Sequence, residues 1–407
     1  MTNPPQAIGE NSLAVIDFEV TWKSGEVAHR DRLACQKVNF WRDILPGGLA
    51  EALHGKTAGD CETISYAPGE LVTHYDEGKI REIKRTHFDG RGPAGHRIAP
   101  DCGRFFPLGM LTSAVPGIFK ADMRPFRCVG GDGGILRVDL NHPLSGVAAR
   151  VKAEVREVMR LGDDLGGRCT DWAQSLTDGP GLQARWRGRP TEFFQDGAFA
   201  RADESADGAF YAQPRMTVHL DSRALGGVAE LYGRILPRGS RVLDLMSSWK
   251  SHLPGDLEPA CVTGLGLNRD EMAQNEQLSA AVVHDLNLEP RLPFGDGCFD
   301  AAVCTVSVEY LTRPVEVFAE VARVLRPGAP FAVTFSHRWF PPKVVKLWTE
   351  IHPFERMGFV LECFHRSGLF ERLETVSLRG LPRPEKDAYF PDEQLSDPVF
   401  AVWGRRH

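Results

Sequence analysis

Acidic, hydroxyl and imidazole side chains recur just after short apolar runs in the second half of this chain. Arg241-Val-Leu-Asp-Leu245 is one such run, and it delivers Asp244 ahead of Met246-Ser247-Ser248-Trp249-Lys250. Another places Asn268 behind Gly264-Leu-Gly-Leu267, and a third places Asp285 in Val282-Val-His-Asp-Leu286. A carboxylate accepts from an ammonium or an amine, and an amide or hydroxyl bonds a ligand hydroxyl more weakly. Two later runs end in Ser307-Val-Glu309-Tyr310 and Ser336-His337-Arg338-Trp339-Phe340. Glu309, Tyr310, His337 and Arg338 are the candidates for touching an acceptor or taking its proton. Each also has a plain structural use: Glu309 caps a helix, Tyr310 packs, Arg338 pairs with an acid. His252 is a further option, although a satisfied histidine is its commoner role. G-x-S-x-G, a Walker loop and HExxH are absent, so hydrolysis and phosphoryl transfer lose support.

The elements that carry these groups alternate. Leu225, Val228, Ala229, Tyr232, Ile235 and Leu236 recur at helical spacing and stop at Pro237-Arg-Gly239, before the strand that ends at Asp244. Ala260–Leu265, Asp300–Ser307 and Phe331–Ser336 read as further strands, with a helix on Val315, Phe318, Ala319, Ala322 and Leu325 before Arg326-Pro-Gly328. Such alternation implies a parallel α/β sheet whose ligands bind at the carboxyl ends of its strands. The N-terminal part has a different rhythm. Residues 12–22 alternate, with Ala14, Ile16, Phe18 and Val20 on one face and Leu13, Val15 and Asp17 on the other, and a turn at Lys23–Glu26. Leu45–Leu53 reads as turn then helix, 71–127 is loop-rich, and Gly134–Leu140 and Ala148–Val158 return to alternation. Residues 159–209, which include Gly162–Arg168, read as a linker or lid; Trp172, Trp186, Phe193, Phe194 and Phe199 argue that it packs against something.

At 407 residues the chain exceeds one ordinary domain of roughly 150 residues. Its net charge of −6 supplies no basic field for a nucleic-acid backbone. No apolar run suits a membrane span and no signal peptide opens the chain, so a cytoplasmic location is expected. Nine dispersed cysteines without CxxC or zinc spacing fit a reducing compartment and offer no metal site.

Residues 210–407 resemble a class I S-adenosylmethionine-dependent methyltransferase of the small-molecule branch. The resemblance rests on Leu292-Pro-Phe-Gly-Asp-Gly-Cys-Phe-Asp300, like that family's LPF-x-D-x-x-FD segment, and on Glu320-Val-Ala-Arg-Val-Leu-Arg-Pro-Gly328, like its E-x-x-R-V-L-x-P-G helix stop. It implies a Rossmann-like fold and S-adenosylmethionine as cofactor, held by Asp244, Met246, Ser247, Ser248, Trp249, Asn268, Asp285, Leu286 and Ser307. Asp244 takes the place of the first-motif acid, and Asp285 that of the acid receiving the adenine amine. Tyr211 and Arg215 fall where the family's N-terminal cap closes over substrate. The resemblance implies methyl transfer to a small molecule or thiol; a thiol needs only thiolate stabilisation, whereas a hydroxyl needs a base. The chain departs from the pattern twice: the first loop has no glycine, and Gly266 stands where an acid normally takes the ribose hydroxyls, leaving Asn268 as substitute.

Residues 12–158 resemble the FKBP-type prolyl isomerases, in their SlyD-like branch. The match lies in Leu45–Leu53 with Gly59-Asp60, in Asn141-His-Pro-Leu-Ser-Gly146, and in Tyr75-Asp-Glu77 and Phe105–Met110, which fall where that branch carries an inserted subdomain. The resemblance implies a β-rich α+β domain over 1–158 with an insert at about 71–127. The pocket positions of that family fall here on His29, Val72 and Val151, so efficient isomerisation is not expected, nor is a nickel site. A protein or peptide is a possible partner of this module. The alternative reading is a chaperone or isomerase with a pseudo-methyltransferase half, binding unfolded chains through Phe105, Phe106, Met110 and Phe119.

Overall fold

A computed structural model describes residues 6–91, 97–160 and 166–407, so the run 162–168 lies partly outside it. Two compact units emerge: residues 1–190 with Val376–Pro382, and residues 191–375 with 383–407.

In the N-terminal unit, β1 (Ser12–Ser24) and β2 (Val27–Asn39) form a hairpin closed by Gly25-Glu26. Ala14, Ile16, Phe18, Val20 and Trp22 are buried on one face of β1, as the alternation demands. Helix α1 (Leu49–Leu53) tucks Leu49 and Leu53 into the same core before β3 (Cys61–Tyr66). A second sheet is built from β4 (Ile80–Lys84), β5 (Phe105–Pro107), β6 (Pro125–Gly130) and β7 (Ile135–Asp139), in the order β4-β7-β6-β5. It therefore includes the Ile135–Asp139 strand, beyond residue 127. Phe105 and Phe106 are buried in it, and Phe106 packs with Phe88 and Phe126, so neither ring is available to a client chain; Phe119 is exposed. The chain returns through β8 (Ala149–Arg160), which completes the order β2-β1-β8-β3. Helix α2 (Trp172–Thr177), capped by Asp171, brings Trp172 onto Asp43 through an Nε1 hydrogen bond of 2.9 Å. The segment Val376–Pro382 joins this unit, where Arg379 meets Asp31 of β2 at 2.7 Å and Ser377 donates to the same carboxylate.

In the C-terminal unit, α3 (Asp207–Phe210) and α4 (Ser222–Ile235) precede β9 (Arg241–Leu245). There follow β10 (Cys261–Gly266), α5 (Arg269–Ala273), β11 (Ala280–Val283), β12 (Ala301–Thr305), α6 (Pro314–Val324) and β13 (Pro330–Phe335). The parallel strands run β11-β10-β9-β12-β13, so chain order reverses between β9 and β12, where α/β sheets open their ligand crevice. Helices α7 (Lys346–Glu350) and α8 (Pro353–Ser367) come next, then β14 (Phe370–Arg379), which leaves this unit after Thr375, and β15 (Val399–Arg406), antiparallel to β13. Phe193, Phe194 and Phe199 pack on Phe359 of α8, so the start of this unit is packed, as its aromatic content implied.

The two motif segments that most resemble the methyltransferases bind each other. Glu320 of α6 accepts from the Leu292 amide at 3.0 Å, and Arg323 donates to the Leu292 and Phe294 carbonyls and to Asp296. Their charges hold a backbone corner in place.

Candidate active site

A cleft opens at the carboxyl ends of β9, β10, β11 and β12. Asp244, Met246, Ser247, Ser248, Trp249, Asn268, Asp285, Leu286, Ser307, Tyr310, Tyr211 and Arg215 all line it. Glu309, His337 and Arg338 are not among its lining residues.

Asp244 sits at the floor and is 2% exposed. Its Oδ2 accepts from Ser247 Oγ at 2.6 Å and Ser251 Oγ at 2.7 Å, and Asn275 donates to Ser251 and to the Ser248 carbonyl. Burial pushes its carboxyl up to about 6 against the pull of those two hydroxyls. Below it, Tyr232 of α4 bonds Thr305 at 2.6 Å and Thr334 at 2.9 Å, tying the helix beneath the sheet to β12 and β13.

The glycine-free loop finds its shape by two devices. Met246 adopts the left-handed conformation, φ 56°, that glycine takes without cost. The next residue bonds back to β10, with the Ser247 amide donating to the Leu265 carbonyl at 2.8 Å. A Cβ on Gly266 would lie 2.1 Å from the Ser247 carbonyl, and one on Gly264 would lie 2.9 Å from the Ser247 hydroxyl. The loop thus occupies the space that any side chain at 266 would need.

Asn268 does not replace that acid. Its Oδ1 caps α5 by accepting from the Asp270 and Glu271 amides, and its Nδ2 donates to the Tyr211 and Ala212 carbonyls, so both ends are committed. Glu271, which no family motif singled out, lines the cleft instead, accepting from Ser248 Oγ at 2.6 Å and from the Arg215 amide at 2.7 Å. The spacing Asn268-x-x-Glu271 is a capping-box signature and was the available signal. Asp285 accepts through Oδ1 from the Asn287 and Leu288 amides. Asn287, also missed, donates to Asp207 and to the Tyr310 carbonyl and accepts from Thr312, joining the β11 end to the cap and to the β12 end.

The cap is held by buried charge. Asp207 binds Arg201 at 2.6 Å and Lys343 at 3.1 Å; burial alone would raise its carboxyl, but Asn287, Arg201 and Lys343 outweigh that and hold it low. Phe210 and Tyr211 follow, and Arg215 lies over Phe210, Tyr211 and Phe340 at 4.6, 5.7 and 5.2 Å. Tyr310 accepts from the Phe340 amide at 2.8 Å, and His219 meets Phe340 edge-on. Val306 is in the left-handed region, φ 48°, a strained state for a β-branched residue beside the cleft. His252 lines the cleft too, pushed down to about 4 by burial and by Lys250 and His219.

Arg338 and His337 have other partners, and Glu309 is enclosed without one among the described residues. Arg338 pairs with Asp397 at 2.7 Å and Glu393 at 2.8 Å, and His337 Nε2 lies 3.7 Å from Asp397. His337, Glu393 and Asp397 come within 4.8 Å of one another, but Arg338 and Arg383 already neutralise the two carboxylates. Glu309 is fully buried with both carboxylate oxygens unbonded among the described residues, and burial pushes it up to about 8. Arg356, whose charge partly opposes that rise, is itself lowered to about 10 by burial.

Residues 255–333 match a family model described as a methyltransferase domain. The match begins after the Met246–Lys250 loop. A Penicillium fellutanum protein, "Methyltransferase phqN", is 36% identical over 80 residues, covering 18% of this chain and 24% of its own. The "FKBP-type peptidyl-prolyl cis-trans isomerase SlyD" of Aeromonas hydrophila is 23% identical over 153 residues, 36% of this chain and 62% of that protein. The chain therefore spans less than two thirds of either curated relative. Among solved structures, S-adenosylmethionine-dependent methyltransferases from Mesorhizobium loti and Aquifex aeolicus align with TM-scores of 0.29 and 0.30, at 17% and 15% identity. They cover 45% and 46% of this chain and 100% and 91% of their own. No helix among the described residues is long and apolar enough to cross a membrane. The matched segment supplies β10, β11, β12 and most of β13 of the cleft's parallel sheet, so that part of the scaffold is similar to a methyltransferase domain.

Proposed function

We propose that this protein transfers a methyl group from S-adenosylmethionine to a small-molecule or thiol acceptor bound under the α3 cap. The observation that carries this is a buried carboxylate, Asp244, at the point where strand order reverses, with two more acids, Glu271 and Asp285, around the same cleft. Such a lining suits a ligand with an ammonium, a sulfonium, a diol and an exocyclic amine. Asp244, Asp285, Ser247, Ser248 and Ser307 are the polar groups that would hold the donor, with Met246, Trp249 and Leu286 against its apolar parts. Asn268 acts by positioning Glu271, which inherits the polar role at the β10 end. The bound donor supplies a methyl group already activated on positively charged sulfur, so the protein's work is alignment and exclusion of water.

Tyr310, Tyr211 and Arg215 form the acceptor side. His252 is a weak, neutral base near neutrality, which suits an acceptor that gives up its proton easily, such as a thiol, better than an alcohol. The N-terminal module is read as a SlyD-like FKBP relative that supports folding or binds a peptide. Its His29 stacks on Trp22 and contacts Ser24 Oγ at 2.5 Å and Gln183 Nε2 at 3.5 Å, and burial lowers it to about 3; it belongs to a filled core. An acceptor screen that follows S-adenosylhomocysteine release, beginning with small thiols, tests the activity. Turnover lost in Asp244→Ala supports it, whereas turnover unchanged in that variant overturns the site assignment.

A further inference from the structure

Arg215 lines the cleft without a counter-charge; Arg356, over Trp339 and Trp348, likewise has no ion pair among the described residues but is not part of the cleft lining. Arg201, Lys343 and Arg383 each meet a carboxylate within 3.1 Å. Arg215 makes no ion pair among the described residues, its Nη1 is buried without a hydrogen-bond partner, and its guanidinium rests only on the faces of Phe210, Tyr211 and Phe340. Removing a cation from water without a counter-charge is costly, and three ring faces return only part of that cost. The side chain is nevertheless held in place: its own amide is fixed by Glu271, and Asp207 anchors the helix that carries Phe210. A pre-positioned, unpaired guanidinium in a cleft presents a planar fork that matches a carboxylate with two parallel hydrogen bonds.

We infer that the acceptor is a small carboxylate with a planar apolar body, its carboxylate taken by Arg215 and its body lying among Tyr211, His219, Phe340 and Trp249. This inference rests on the methyltransferase reading and names its substrate class. The acids that suit the donor stand at the ends of β9, β10 and β11, and the one at β10, Glu271, accepts from the Arg215 amide; the Arg215 guanidinium itself rests on Phe340, which follows β13 and bonds Tyr310 beyond β12. The carboxylate is thus sought on the β12–β13 side, where the acceptor lies. The donor's own amino-acid carboxylate is the other source of the same chemistry, and the experiment separates the two.

Calorimetric titrations on the full chain would use S-adenosylhomocysteine, then 5′-methylthioadenosine, which lacks the carboxylate. Benzoate, phenylacetate and 3-phenylpropanoate would follow on protein saturated with S-adenosylhomocysteine, each in wild type, Arg215→Met and Arg215→Lys. The expected result is an aromatic carboxylate whose binding weakens roughly tenfold or more in Arg215→Met. Arg215→Lys recovers part of it, and S-adenosylhomocysteine affinity stays within about twofold in both variants, which also shows that they fold. A loss of S-adenosylhomocysteine affinity with 5′-methylthioadenosine unchanged assigns the guanidinium to the donor and overturns the inference. So does failure of all three carboxylates to bind wild type that binds S-adenosylhomocysteine. Failure of wild type to bind S-adenosylhomocysteine at all sinks the methyltransferase reading itself.

Discussion

Asp244 and Glu309 are two buried acids with opposite uses. Asp244 faces the cleft with two hydroxyl donors, and burial still lifts it to about 6. A cationic donor favours the ionised form, so donor affinity should rise with pH through about 6 and be roughly tenfold weaker at pH 5 than at pH 7. Titrations across that range check it, and a flat profile would remove Asp244 from donor binding. For stability the sign is reversed. A carboxyl raised from 3.8 stabilises the fold most below about pH 4, and that contribution is lost as pH rises through about 6. Glu309, raised from 4.5 to about 8, loses its contribution as pH rises from about 4.5 through about 8, at up to roughly 1.4 kcal/mol per pH unit. Glu309→Gln keeps the shape and removes the ionisation, so urea unfolding of this variant should show a shallower fall in stability between about pH 5 and 8. An unchanged slope would mean that Glu309 is ionised in the folded protein.

At the level of elements, the need for glycine has moved from the first loop to β10. The loop that resembles a glycine-rich motif carries none, and Met246 accepts the left-handed backbone instead, while Gly264 and Gly266 make room for the loop that packs over them. Gly266→Ala should push the Ser247 carbonyl aside, costing about 1–3 kcal/mol of stability and most of the donor affinity. Calorimetric melting and donor titration measure both, and wild-type values in both would show that the loop yields freely. Helices α4 and α6 and strands β9, β10, β12 and β13 were legible because they repeat at fixed periods, Arg241–Leu245 to the residue, whereas α5, β11, α7, α8, β14 and β15 were not read from the sequence. The site was legible only in part. The family resemblance placed Asp244 and Asp285 in the site, but Glu309, His337 and Arg338 also follow strands and turn away, because Asp397, Glu393 and full burial compete for them. Those competitors are distant in sequence, so no spacing rule exposes them. The same holds for Asn287, whose three partners come from α3, the β12 end and Thr312.

On the scale of the whole molecule, two compact units carry the two resemblances. The positions of the N-terminal unit that correspond, by its resemblance, to an isomerase pocket include His29 and Val151, both buried. Val151 is fully buried, and the segment after α2 lies against the Asn141–Gly146 turn, with His142 bonding the Thr177 carbonyl at 3.1 Å and Gly181 set against Pro143. A protease-free prolyl isomerisation assay should therefore show no acceleration above the spontaneous rate by the full chain. Acceleration comparable to an active isomerase would contradict this filled-pocket account. The central claim, that the C-terminal unit binds a methyl donor at Asp244, is tested most directly by isothermal titration of the full chain with S-adenosylmethionine beside Asp244→Ala. The account predicts saturable binding to the wild type that the substitution abolishes while the variant still melts cooperatively; absence of binding to both, or equal binding by both, would contradict it.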